Sequence, residues 1–303
     1  MCGVIDYKCY FCNTKNTLIP MMRKIVTMAL SLVAAFIAVS CEKKVEQPAV
    51  ELLEKARAEF VDGKYNNARL LIDSIRVVSP KAYKTLREAE QLRRKVLVKE
   101  KERDVEYLQG ELSRYVAVRD TLAAGFTFNK DTRLGKGYYI VPSQNVVLNQ
   151  QNNFLRAYVN EDGTMYLTSF YRGKGIGHTT VKVSSGSSYA SCDEPFLSRK
   201  YKDLGVNNER CDYRYGQDDG LIDFIIAAQG SLEVELSGGK GSVRYALRNS
   251  DVEAVRSIYH FSQAILAARH FEELLGEAQH SLEFLLRSEQ RSAAGTSFEP
   301  AAE

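Results

Sequence analysis

The 303-residue chain has only four histidines, and any general base, or any nucleophile, base and orienter set, would be built on one of them. Three of these, His260, His270 and His280, are spaced by ten along one helical pattern. Their rings therefore stand roughly 80° apart around the axis and cannot share a ligand face. His178 lies in HTTVKV, where strand alternation sets it opposite Val181 and Val183 and predicts a ring facing solvent. The nearest serines downstream, in SSGSS from Ser184, sit in loop-like sequence with no nucleophile elbow. RGKGIGH, residues 172–178, has the glycine and lysine of a phosphate loop but not its Gly-Lys-Ser/Thr ending, and no helix follows it; it reads as a hairpin connection. DYRYGQDDG, residues 212–220, offers Tyr213 and Tyr215 as stacking surfaces and Asp218 and Asp219 as oxygen donors, a candidate ligand loop for sugar. Its spacing fits no calcium loop, and the chain has no tryptophan. Cys9 and Cys12 have the spacing of half a zinc knuckle, but with Cys2 they fall short of four ligands. No catalytic residue, metal or cofactor is expected.

The address is more explicit than the chemistry. MMRKIVTMALSLVAAFIAVSC, Met21 to Cys41, has basic Arg23 and Lys24, an apolar run from Ile25 to Ile37, and small residues before a cysteine. That is the anatomy of a secretory signal, and the run is shorter than the about 20 apolar residues a membrane span needs. Ala38-Val39-Ser40-Cys41 resembles the lipobox of bacterial lipoproteins. The resemblance implies that the signal is removed and that Cys41, carrying acyl chains, becomes the N-terminus. Glu42 after the cysteine, rather than aspartate, resembles lipoproteins sorted to the outer membrane. Residues 1–20 precede a signal with its own Met21 or Met22 and read as an upstream extension.

Removing residues 1–40 takes away Lys8, Lys15, Arg23 and Lys24 against Asp6, three net positive charges from a formal +3. The remaining chain is about neutral and has no broad electrostatic footprint for nucleic acid. Cys192 and Cys211 are then a lone pair in a disulfide-permissive compartment. They are expected as a bridge, the alternative being two separate buried thiols.

The elements that would position these residues follow from periodicity. Residues 41–50 read as a lipidated tether. In 51–80, Leu53, Ala56 and Phe60, then Gly63, then Tyr65, Ala68, Ile72 and Ile75 before Pro80 predict a helical hairpin. The order Ala56, Gly63, Tyr65, Ala68, Pro80 resembles a single tetratricopeptide-type repeat, which needs a neighbour to bury its face. Residues 81–125 predict one long amphipathic helix, its stripe running through Leu86, Ala89, Leu92 and Val96 to Leu108, Leu112, Tyr115 and Leu122, with a bend or fraying possible at Gly110 and at KEKERD from Lys99. Residues 250–289 predict another, opened by a Ser250-x-x-Glu253 capping box, and residues 290–303 a disordered tail. From 126 to 249 the period changes to two. Strands 154–160 and 164–172 flank a turn at Gly163. In 231–247, a two-residue turn at Gly239 and Lys240 would set Glu235 opposite Arg244 and Val234 opposite Tyr245. Ser184 to Gly220 reads as long loops stapled by the cysteine bridge.

The predicted fold is therefore α+β: an N-terminal helical hairpin and long helix, an inserted antiparallel β-rich domain, and a C-terminal helix packing back as a two-helix stalk. The function expected is a non-enzymatic, lipid-anchored envelope protein. It would be held to membrane through acylated Cys41 and act as a structural or protein-interaction adaptor toward a protein partner or another copy; the alternative is a surface glycan-binding lipoprotein.

Overall fold

The computed structural model describes residues 46–130, 137–149 and 151–295. The signal, the lipobox with Cys41, the three cysteines upstream of it and residues 296–303 lie outside that set. The fold is α+β, with helices first, an antiparallel β domain in the middle and a long C-terminal helix that packs back on the long N-terminal one. Among the described residues no helix is long and apolar enough to cross a membrane. They fall into two compact units, one reaching to Asp104 and joined by residues from His280 onward, the other Val105–Gln279.

The first unit is helical. Helix α1 covers 46–61, starting inside the expected tether, α2 is Tyr65–Val78, and α3, Tyr83–Ala123, enters this unit with its first half. The α1–α2 turn is closed by Gly63 at φ +73°, a left-handed conformation that glycine adopts without steric cost. Ala56 and Ala68 let the helices approach closely, and Leu53, Ile72 and Ile75 fill the space around them. Ala89, Leu92 and Val96 of α3 supply the third wall. The lone hairpin thus finds its neighbour where the sequence pattern puts it. Arg57 reaches Glu54 at 2.8 Å and Glu88 at 2.9 Å, exposed pairs of a kind that add little, and Arg69 reaches the part-buried Glu100 at 3.3 Å.

Helix α3 continues unbroken through KEKERD and Gly110, so the expected fraying is not seen, and from Val105 it belongs to the second unit. Its stripe meets α6, Asn249–Gly295: Tyr115 stacks on Phe271 at 4.9 Å, and Phe126 beyond the helix end stacks on Phe261 at 4.8 Å. Later positions on one chain segment meet earlier ones on the other, so the packing is antiparallel. Helix α6 begins one residue before the expected capping box, and Glu253 turns forward to Arg256 at 2.6 Å rather than back. It also runs through 290–295, residues expected in a tail.

Ten strands among the described residues form two antiparallel sheets. In chain order they are β1 Thr127–Lys130, β2 Gly137–Ile140, β3 Phe154–Asn160, β4 Met165–Gly173, β5 His178–Ser185, β6 Ser188–Cys192, β7 Leu197–Asp203, β8 Val206–Arg214, β9 Leu232–Gly238 and β10 Gly241–Leu247. One sheet has the order β1-β2-β3-β4-β8-β7 and the other β10-β9-β5-β6. The turn at Gly239 and Lys240 sets the predicted register, with Arg244 opposite Glu235 and Tyr245 opposite Val234, and Arg244 bonds Glu235 at 2.9 Å. Short helices α4, Val146–Asn149, and α5, Leu221–Ala227, complete the unit. A single core joins both sheets, α5 and the start of α6, with Leu155, Leu167, Val181, Leu236, Ile225 and Phe261 among its members.

The segment read as loops from Ser184 to Gly220 instead contains β6, β7 and β8. Alternation is hidden there for two reasons. Strand β7 is a sheet edge exposed along most of its length, and β8 buries polar side chains, Glu209 and Asp212 among them. On the face away from the core, Asp212 accepts from Arg210 at 3.0 Å and from Thr168. On that face Arg156 lies over the Phe170 ring at 5.0 Å, with its Nε unpartnered.

Candidate functional site

The constellation closest to catalytic chemistry is built on His178, which the alternation of HTTVKV sets facing solvent and the structure buries completely. The cause is a β-bulge. His178 pairs with Gly238 and Thr180 with Ser237, so two residues of β5 oppose one step of β9, and the side-chain parity inverts before Thr180. The passage is tight: a Cβ at Gly238 would stand 2.2 Å from the Gly177 carbonyl oxygen, so only glycine fits there. Tyr213, wholly buried on β8, donates its hydroxyl to the Thr179 carbonyl at 2.6 Å and pins the bulge.

Turned inward, the His178 ring bridges two strands of the other sheet. Its Nε2 lies 2.9 Å from Ser169 Oγ and its Nδ1 3.0 Å from Glu209 Oε2. Ser169 is on β4 between Leu155 and Cys211, on the same face as Leu167. Glu209, on β8 between Tyr171 and Lys200, also accepts the backbone N–H groups of Gly177 at 2.8 Å and His178 at 2.7 Å. Burial by itself would push the Glu209 carboxyl up, but these two N–H donors and the His178 ring outweigh it and hold the pKa below its ordinary value. An ionised Glu209 fixes the proton of His178 on Nδ1, which leaves Nε2 to accept the Ser169 hydroxyl proton. Burial dominates the imidazole and lowers its pKa, against the opposing pull of Glu209.

Hydroxyl, imidazole and carboxylate therefore stand in nucleophile, base and orienter order. Access is the missing element. Ser169 and His178 have no exposed surface and Glu209 is 4% exposed, and Ser169 sits mid-strand within the ladder rather than on a turn above the sheet. A reacting carbonyl has to lie about 3 Å from the nucleophile, and the core fills that space. In this structure the trio is a satisfied polar chain that ties the start of β5 to the opposite sheet.

The other sequence-derived sites resolve differently. Tyr213 is core and closed to a ligand. Tyr215 is half-buried, its hydroxyl on Asp223 at 3.1 Å and its ring edge-on to Tyr259. Asp218 is buried, accepting from Gly216 N–H at 3.0 Å and from Ile222 N–H at 2.7 Å, which makes it the support of the first turn of α5. Asp219 stands beside it at φ +49°. The candidate ligand loop is thus the end of β8 and the entry to α5; of its four singled-out residues, Tyr213 and Asp218 are buried, Tyr215 is half-buried and Asp219 is exposed. The expected bridge between Cys192 and Cys211 is unformed: both are buried free thiols. Cys192, on β6 in the smaller sheet, points at the Glu194 carbonyl, 3.8 Å away, and Cys211, on β8 in the larger one, donates to the His178 carbonyl at 3.2 Å. Burial raises both thiol pKa values, that of Cys192 to about 11, which makes them poor nucleophiles. His260, His270 and His280 are exposed on α6, and among the described residues no cluster of His, Cys, Asp or Glu could hold a metal.

Ser169 and Glu209 are the residues that sequence reading missed. Ser169 had a signal, since it shares parity with Met165 and Leu167 in a strand with a buried face; Glu209 had none, lying in a strand disguised as loop. No family model matches the chain, and no curated protein or solved structure matches it at a significant level.

Proposed function

We propose that the chain is a non-enzymatic, lipid-anchored protein of the cell envelope, with the outer membrane as its address and protein interaction as its work. The lipobox resemblance at Cys41 supports the anchor, and the sealing of Ser169 and His178 speaks against a hydrolase. The observation that carries the adaptor reading is the distribution of exposed apolar surface. Most of the large apolar side chains left exposed lie on helices, and they concentrate beside the α2–α3 turn, where Val77, Val78 and Tyr83 are 82, 57 and 74% exposed. Stable protein interfaces are centred on apolar groups of this kind. Within the β unit Tyr213 is buried and Tyr215 half-buried with its hydroxyl on Asp223, which speaks against these two rings as a stacking platform for glycan.

A photocrosslinking residue placed at Val77 or Tyr83 in cells should yield a discrete protein adduct, absent when it is placed at exposed Lys55. Cys41→Ser should release the protein from the membrane fraction. Uniform absence of adducts from all helical positions, with retention on polysaccharide in affinity electrophoresis, would replace the adaptor with the glycan reading. Hydrolysis of an ester panel that disappears in Ser169→Ala would instead make the chain an enzyme.

A further inference from the structure

A hollow of about 430 Å³ opens on the β unit, and Lys174, Lys200, Lys202 and Lys240 all line it. They come from three separate places: the β4–β5 connection, strand β7 and the β9–β10 turn. Backbone and amide bonds hold these places in register. The Lys240 N–H donates to the Ile176 carbonyl at 3.0 Å, and Asn207 Nδ2 donates to the Lys174 carbonyl at 3.1 Å. The Lys200 ammonium lies over Gly177, where a Cβ would stand 3.5 Å from it. Thus the glycine-rich RGKGIGH stretch, which fails as a nucleotide loop, forms one wall of a basic hollow by a different route.

Charge in the hollow is unbalanced. Among the described residues, the lysines found in ion pairs are Lys64, Lys99 and Lys101, none of them here. Glu209 is the one carboxylate in the lining, and both its oxygens are occupied by Gly177 N–H, His178 N–H and the His178 ring. Asp203, at the end of β7, is turned to Arg172 at 3.7 Å. Like charges gathered on one concavity repel, and an anion seated among them relieves the repulsion. The volume lies in the small-molecule range of about 300–1,000 Å³, and the lining is more polar than apolar, with Asn207 and Asn208 beside the lysines, which suits a charged, strongly hydrated group. Lysine holds phosphate as a point charge without needing the planar fork of arginine.

We propose that this hollow binds an anionic phosphate group, carried either by a free phosphorylated molecule or by a phospholipid headgroup. The site is independent of the adaptor reading, and each stands if the other fails.

The full chain in neutral detergent micelles is titrated with sodium tripolyphosphate and, separately, with short-chain phosphatidylglycerol added to the micelles. Three proteins are compared: wild type, Lys200→Ala with Lys240→Ala, and a charge-matched control, Lys81→Ala with Lys84→Ala, on the α2–α3 turn. Wild type should bind at least one probe, with Kd rising about tenfold or more in the first variant and staying within about twofold of wild type in the control. Binding of tripolyphosphate identifies a free phosphate as sufficient, whereas binding of phosphatidylglycerol alone assigns the site to a headgroup. Equal weakening in both variants would reduce the effect to net charge and overturn the proposal, as would failure of wild type to bind either probe. Because all four substituted lysines are exposed, the variants should keep the fold.

Discussion

The helical unit and the β unit solve burial in opposite ways. Between α1, α2 and the start of α3 the core is aliphatic and alanine, close-packed on helical periodicity, with charges left outside in exposed pairs. Between the two sheets, the core admits a hydroxyl, an imidazole and a carboxylate and satisfies each of them. An apolar core tolerates a lost side chain as a cavity, whereas a polar chain that loses one member leaves the others buried without partners. The two units should therefore answer mutation differently.

The largest effect is expected at Glu209. Replacing it by alanine orphans two backbone N–H groups and the His178 ring proton, and the loss should be about 3–5 kcal/mol, read as a lower urea midpoint. Ile75→Ala in the helical core should cost about 2–4 kcal/mol through the cavity it opens. If Ile75→Ala proves the more damaging of the two, the polar chain is dispensable and the contrast between the units fails.

Acid sharpens the contrast further. The His178 pKa is depressed in the fold while the unfolded ring titrates near 6.5, so its neutral form contributes stability that is complete above about pH 6.5 and is lost as pH falls below that value. Glu209, also depressed, adds a second loss below its unfolded value of about 4.3. The β unit should lose hydrogen-exchange protection between pH 7 and 5 while the helical unit does not, and His178→Gln should flatten that dependence. An equal decline in the two units would place the sensitive group elsewhere. The smallest effect belongs to Arg57→Ala, which breaks two exposed ion pairs and should change stability by less than about 1 kcal/mol.

What the sequence disclosed follows the same division. Helical stripes were legible because one rule, apolar side chains every three or four positions, accounts for nearly every buried residue of the first unit. The β9–β10 hairpin was legible because glycines fix its turn and its alternation is clean. The strands between Ser184 and Gly220 were not, since β7 buries neither face and β8 carries buried charge, that of Glu209 held by Gly177 and His178 more than thirty residues away in sequence. Parity failed at His178 for a local reason: counting from Val181 assumes one residue per step, and the bulge supplies two. Cys192 and Cys211 stand as two buried free thiols, a state that their number and spacing alone do not distinguish from a bridge.

That bulge makes the state of His178 a matter of chain length rather than of side-chain chemistry. An in-frame loss of the Thr179 codon would remove the extra residue and leave His178 two positions before Val181, where strict alternation by itself keeps the imidazole on the core face. The inward ring is thus compatible with two chain lengths, this one with its bulge and one a residue shorter without it, whereas a regular strand of the present length would turn the ring to the surface.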